Sequence, residues 1–321
     1  LRPAHPTAER HPPRGVTRMT AAGLEPVLGM QSREGGSVLS KDSYKGSPVT
    51  VTATSMRQRQ AAQAVIEELL ADPSHLVERG PLARIFGRSP LSSSGAAWYR
   101  GAQGEIAAGR MLDTLPADWS VFHALPVGTR EADIDHLVVG PGGVFSINTK
   151  HHRGKPVWVA NRTLMVSGQR QPHIRNAEHE AARVTKLVHA RLGLPGRVRP
   201  VVAIHGAASI VVKEQPDLVT VLDARRLRRW LLKRPVQLGP EDLTRIVGLV
   251  DDPATWRTVA SAPCEHLLAR FDALHDEVRT AATRRSLWSF GSMAVAGAGL
   301  IFVAPPLLTA MVTSVATSLM P

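Results

Sequence analysis

The chain has 321 residues, of which 43% are hydrophobic and 21% charged, and a formal net charge of +12. That balance excludes a wholly disordered chain. A disulfide scaffold is excluded because Cys264 is the only cysteine, and a reduced compartment follows as the simpler expectation. Aromatics at 4% exclude a surface built mainly from stacked rings, while the excess of arginine and lysine points to polyanions, either nucleic acid or an anionic membrane.

Residues 1–55 are rich in Pro, Gly, Ser, Thr and Arg and lack apolar periodicity, so they read as a disordered leader, with Met19 or Met30 as alternative first residues. The leader has no apolar core of a signal peptide. An amphipathic helix and linker occupy 56–91, with Ala61, Ala64, Val65, Ile66 and Leu69 on the apolar stripe.

From 92 to 235 the pattern is mixed α/β. A helix follows Ser92-Ser93-Ser94, with Trp98, Ala102, Ile106, Gly109 and Leu112 on one face and Glu105 beside it. Strands are expected at Val121–Leu125, Asp133–Val139 and Gly143–Lys150, then a hairpin around Asn161-Arg162. A helix over Arg175–Leu192 turns Ala177, Ala181, Val184, Val188 and Leu192 inward. Strands follow at Val201–His205, Ile210–Val212 and Val219–Leu222, and Asp223 caps a basic helix. Residues 236–285 read as a helical extension. Its last helix, 263–283, carries an apolar seam (Leu267, Phe271, Leu274, Val278) suited to packing on the body or against a second copy as a homo-oligomer.

No Asp, Glu, Lys or Arg occurs from Ser286 to Pro321. Leu287–Ala304 is apolar and close to the roughly 20 residues a membrane-spanning helix needs, with Pro305-Pro306 expected to interrupt it. Arg279, Arg284 and Arg285 precede it, so the expected arrangement is a single-pass anchor in a lipid bilayer with the main domain cytoplasmic.

The chemistry gathers at the Gly140-Pro141-Gly142-Gly143 turn. A two- or four-residue loop sets Asp135 opposite Asn148 and Asp133 opposite Lys150. A three-residue bulged loop would break this alignment. Residues two apart on a strand share a face, so the four side chains emerge together at the open end of the hairpin. Two carboxylates, an amide oxygen and an ammonium group suit a hard cation such as Mg²⁺ or Mn²⁺ and a phosphodiester. Solvated surface charges at an exposed hairpin end are the plainer alternative.

Other candidates are plainer still. Arg225, Arg226, Arg228 and Arg229 surround Trp230 and suit phosphate contact or a solvated amphipathic helix. His152 and Arg175 are candidate substrate contacts, and His136 reads as a packed strand residue rather than a zinc ligand. The glycine turn lacks the Lys-Ser/Thr and helix of a phosphate loop, and no Ser-His-Asp or nucleophilic cysteine arrangement is recognisable.

The stretch GAQGE, then ADIDHLVVGPGGVFSINTK, then RNAEHEAARV, resembles the NERD (nuclease-related) domain of the PD-(D/E)xK endonuclease-like superfamily, over about Gly95–Arg234. The resemblance implies a restriction-endonuclease-like mixed sheet flanked by helices. It makes Glu105 the helical acid, Asp135 the central metal ligand and Lys150 the motif lysine; Asp133 and Asn148, on the same strand face, are the further candidate metal ligands. The family pattern has Glu or Asp two residues before the lysine, where this chain has Asn148. Metal-dependent phosphodiester hydrolysis of DNA or RNA is therefore one expected function, and a catalytically degenerate nucleic-acid-binding module or scaffold at the membrane is the other.

Overall fold

A computed structural model of the chain describes residues 55–127, 133–194, 197–256 and 264–318; of these, the side chains of 264, 294–305, 307, 313 and 315–318 are not described. Apart from Ser55, the expected disordered leader lies outside the described residues.

Among the described residues three α-helices precede the first strand: α1 (Gln63–Ala71), α2 (Pro81–Ile85) and α3 (Ser93–Leu112). The Ser92 hydroxyl accepts from Gly95 N–H and starts α3. At Gly95 a methyl group would overlap the His75 carbonyl, so glycine lets the entering chain pass tightly. The buried stripe of α3 runs through Tyr99, Ala102, Glu105, Ala108 and Leu112, not through Trp98 as expected from spacing. Trp98 is 38% exposed. The rotation follows from tertiary packing, because Tyr99 meets Phe271 with ring centroids 5.8 Å apart and its hydroxyl lies 2.6 Å from His275 Nδ1.

Among the described residues nine strands make two mixed sheets. They are β1 (Ser120–Pro126), β2 (Asp133–Gly140), β3 (Gly143–His151), β4 (Pro156–Ala160), β5 (Thr163–Val166), β6 (Gln169–Gln171), β7 (Arg199–His205), β8 (Ser209–Glu214) and β9 (Thr220–Asp223). The larger sheet has the order β1-β2-β3-β7-β9 and the smaller β6-β5-β4-β8. β1, β2 and β3 are antiparallel neighbours, whereas β7 runs parallel to β3 and β9 parallel to β7. The parallel return requires a crossover, supplied by β4 to β6 and α4 (His173–Leu192). Ala177, Ala181, Val184 and Val188 of α4 are buried, and Gly193 ends the helix at φ +65°. The expected hairpin at Asn161-Arg162 is present, with Asn161 at φ 47°; β6, too short and polar to show in a pattern, extends it.

The register of β2 and β3 is the one expected from a two-residue turn. Gly140 pairs with Gly143, Val139 with Val144 and His136 with Ile147. Their apolar residues enter cores on both sheet faces, one around Phe122, Ile134 and Leu137, the other around Val138, Phe145 and Ile147.

The chain closes with α5 (Leu227–Leu232), α6 (Pro240–Asp251) and α7 (Cys264–Ser318). The Asp223 side chain accepts from Arg225 N–H ahead of α5, as its capping role requires. Leu267, Phe271 and Leu274 of α7 are buried with Ile66, Leu69, Tyr99 and Ala102. Of the two expected partners for this seam, the body or a second copy, the structure shows the body, through α1 and α3. α7 continues through Pro305-Pro306, where an interruption was expected; two prolines delete two donors, and the helical path resumes beyond them. Among the described residues no helix is long and apolar enough to cross a membrane. The expected anchor therefore has no support from the structure, and most of its apolar run, 294–304, lies outside the described side chains.

Candidate metal and nucleic-acid site

β2 and β3 stop pairing beyond His136 and Ile147, and α3 crosses the opened end. α3 packs directly on β3 here, since a Cβ at Gly104 would make ordinary contact, 3.4 Å from His151 Cβ and 3.6 Å from Thr149 Cγ2. The next residue, Glu105, is thereby delivered to the ends of both strands, where it is only 6% exposed. A cavity of about 1270 Å³ opens here, walled by Glu105, Asp133, Asp135, Asn148, Lys150 and His152 among others. The hairpin residues expected to share a face, the helical acid and one candidate substrate contact therefore meet in one place.

Their roles are not equal. Asp135 Oδ2 accepts from Thr149 N–H at 2.6 Å, which ties β2 to β3 where the ladder ends. Asp133 lies 3.8 Å from the Arg59 guanidinium and is committed to that ion pair. Asn148 donates through Nδ2 to Glu180 Oε2 at 2.8 Å, while its Oδ1 is buried with no hydrogen-bond partner. The His152 and His173 rings are stacked with Nε2 atoms 3.1 Å apart. Burial, then Lys150 and His152, hold His173 down to about 3. His136 is fully buried with its Nδ1 2.8 Å from His123 Nδ1, a packed strand residue as expected.

Other expected contacts lie elsewhere. Arg175 is exposed near the start of α4 and does not wall this cavity. Arg225, Arg226 and Arg229 are likewise placed around α5, outside its walls, and Arg225 is paired with Asp223 at 2.6 Å. The cations that do wall the cavity are Arg100, Lys150, Arg153 and Lys155. Glu180 is the residue that sequence reasoning missed. Its signal was present: Glu180 stands three residues after Ala177 and four before Val184, so it borders the inward stripe of α4.

The electrostatics are those of crowded, buried acids. Burial, and then the Asp135 charge, push Glu105 well above the usual carboxylate range, against the pull of Lys150. Asp135 is raised by burial, opposed by Lys150 and the Thr149 N–H. Glu180 is raised to about 7 by burial, opposed by its bond from Asn148. A cation would relieve all three. Among the described residues no group of three or more His, Cys, Asp or Glu side chains could hold a metal ion. The oxygen-bearing side chains of the cavity wall that could serve a cation carry less charge: Glu105, Asp135 and the unpartnered amide oxygen of Asn148. Oxygen donors of this kind suit Mg²⁺ or Mn²⁺.

One pH dependence follows. Glu180 moves from an ordinary 4.5 to about 7 on folding. The folded state holds this proton more tightly, so its stabilisation is complete below 4.5 and is lost as pH rises through about 7. Metal-free Glu180→Gln is expected to escape that loss. Relative to wild type it should gain on the order of 2 kcal/mol between pH 5 and pH 8, read by urea unfolding at the two pH values.

Residues 100–205 match the family model of the NERD, or nuclease-related, domain. No curated protein and no solved structure matches the chain.

Proposed function

From the premise that the chain carries a nuclease-related domain over residues 100–205, we propose that its cavity hydrolyses phosphodiester bonds of DNA or RNA with the help of Mg²⁺ or Mn²⁺. The observation that carries the proposal is that Glu105, Asp135, Asn148 and Lys150 line one cavity, whose walls also carry Arg100, Arg153 and Lys155. Glu105, Asp135 and the Asn148 carbonyl would hold the cation, which when bound supplies charge neutralisation at the phosphate and a more acidic water. Lys150 binds a phosphate oxygen or orients the attacking water and opposes charge developing on the phosphate. Arg100, Arg153 and Lys155 at the rim attract the polynucleotide through its phosphates. Arg175, Arg225, Arg226 and Arg229 lie outside the cavity walls, where they meet phosphates further along the same polymer.

The test incubates the full chain with single- and double-stranded DNA and with RNA, with Mg²⁺ or Mn²⁺ and with chelator. New strand ends that require the divalent ion support hydrolysis. Salt-sensitive binding without new ends supports the second reading, a binding module. That reading is favoured by Asn148, which leaves one fewer charge for the metal than the family pattern provides. The proposal also places the domain beside a lipid bilayer, on the ground of the charge-free sequence from Ser286 onward. Resistance of the full chain to carbonate extraction from membranes is the expected result, and a freely extracted chain removes that part.

A further inference from the structure

We propose that Glu180 is a positioning residue that aims the Asn148 carbonyl oxygen into the cation site, so that a carboxylate on α4 and an amide on β3 together replace a carboxylate at position 148. The proposal rests on the metal-dependent reading above and deepens it.

An asparagine can turn either end of its amide toward a cavity, and the two ends have opposite meanings. The oxygen can ligate a cation, whereas the NH₂ group only donates. Left to themselves, the neighbouring acids Glu105 and Asp135 would draw the NH₂ group toward the site and turn the oxygen away. Glu180, which lines the same cavity, competes for that NH₂ group. Its Oε2 takes the hydrogen bond from Asn148 Nδ2 at 2.8 Å, a charge-assisted bond stronger than a neutral one. An ionised carboxylate has no donor, so a flipped amide would set oxygen against oxygen. The observed orientation leaves Asn148 Oδ1 buried without a partner on a side chain 4% exposed. A buried carbonyl oxygen is costly unless something binds it, and a divalent ion held with Glu105 and Asp135 would do so. α4 can impose this choice because its buried stripe, Ala177 and Ala181 with Val184, seats the helix against the sheet cores.

The experiment measures Mn²⁺ affinity of the full chain at pH 8, with far-ultraviolet circular dichroism of each variant to establish folding. Glu180→Leu removes the acceptor and should lower Mn²⁺ affinity about tenfold or more, the usual effect of losing a group that orients a ligand. Glu180→Gln offers a donor as well as an acceptor, so Asn148 can flip, and its affinity should lie between that of wild type and that of Glu180→Leu. The double exchange Asn148→Asp with Glu180→Gln reverses the hydrogen bond without changing shape and moves the charge onto β3. It should bind Mn²⁺ at least as tightly as wild type, even if Glu180→Leu fails to fold. Three results overturn the proposal: Glu180→Leu binding like wild type, the double exchange binding more weakly than wild type, or wild type binding no Mn²⁺. The expected affinity series in a protein that cleaves nothing removes hydrolysis and supports the positioning role. Divalent-dependent cleavage by the wild type, with unchanged Mn²⁺ affinity in Glu180→Leu, removes the positioning role alone.

Discussion

Lys150→Ala is expected to reduce divalent-dependent cleavage by about 100- to 1000-fold, the range for removing one group that stabilises transition-state charge. The effect has two sources. The ammonium group stands beside Asp135 and Asn148 in the cavity wall, and its removal leaves developing phosphate charge unopposed there. Lys150 also pulls the ionisation of Glu105, Asp135 and Glu180 downward. Without it these acids hold their protons more tightly, and a cation must displace them. Metal affinity and turnover should fall together, with circular dichroism unchanged. Lys150→Ala with undiminished, divalent-dependent cleavage would place the chemistry elsewhere.

Phe145→Ala is expected to destabilise the fold by about 3–5 kcal/mol, the usual cost of deleting a fully buried aromatic ring. Phe145 has no exposed surface. Its ring lies edge-on to Trp230 at 5.6 Å and nearly parallel to Trp119 at 6.2 Å, with the Arg199 guanidinium 5.9 Å from its centre. The cavity left behind opens on several elements at once, so partial collapse cannot refill it. Urea unfolding reads the loss. Phe145 also anchors β3 upstream of Asn148 and Lys150, so metal affinity should weaken in the folded fraction as well. A change under about 1 kcal/mol would mean that this core relaxes around the deletion.

Asp135, Asn148 and Lys150 show how far local reasoning reaches. Two strands joined by a two-residue turn have one register available, and the observed pairs Gly140–Gly143 and Val139–Val144 are that register. Strand alternation then fixed their common face. Glu105 was identified only through family resemblance, because spacing on α3 placed it beside the apolar face and could not show which side another helix would cover. Tyr99, turned inward by α7, rotated that face and buried Glu105. Arg225, Arg226 and Arg229 looked like nucleic-acid contacts because charge density is visible in a sequence, whereas distance from a cavity is not. The seam on α7 illustrates the same limit: its period was legible, but not its partner.

By itself, then, the sequence determined the hairpin that carries Asp135, Asn148 and Lys150, the mixed α/β character and the inward stripe of α4. Covalent connection and residue periodicity act over a few residues and leave few alternatives. Only the tertiary structure decided that β4, β5, β6 and β8 form a second sheet, that α3 brings Glu105 to the hairpin, and that Glu180 meets Asn148 across 32 positions of chain. Those contacts depend on how separately formed elements bury their apolar faces against one another, and no local pattern encodes which polar residue is carried along.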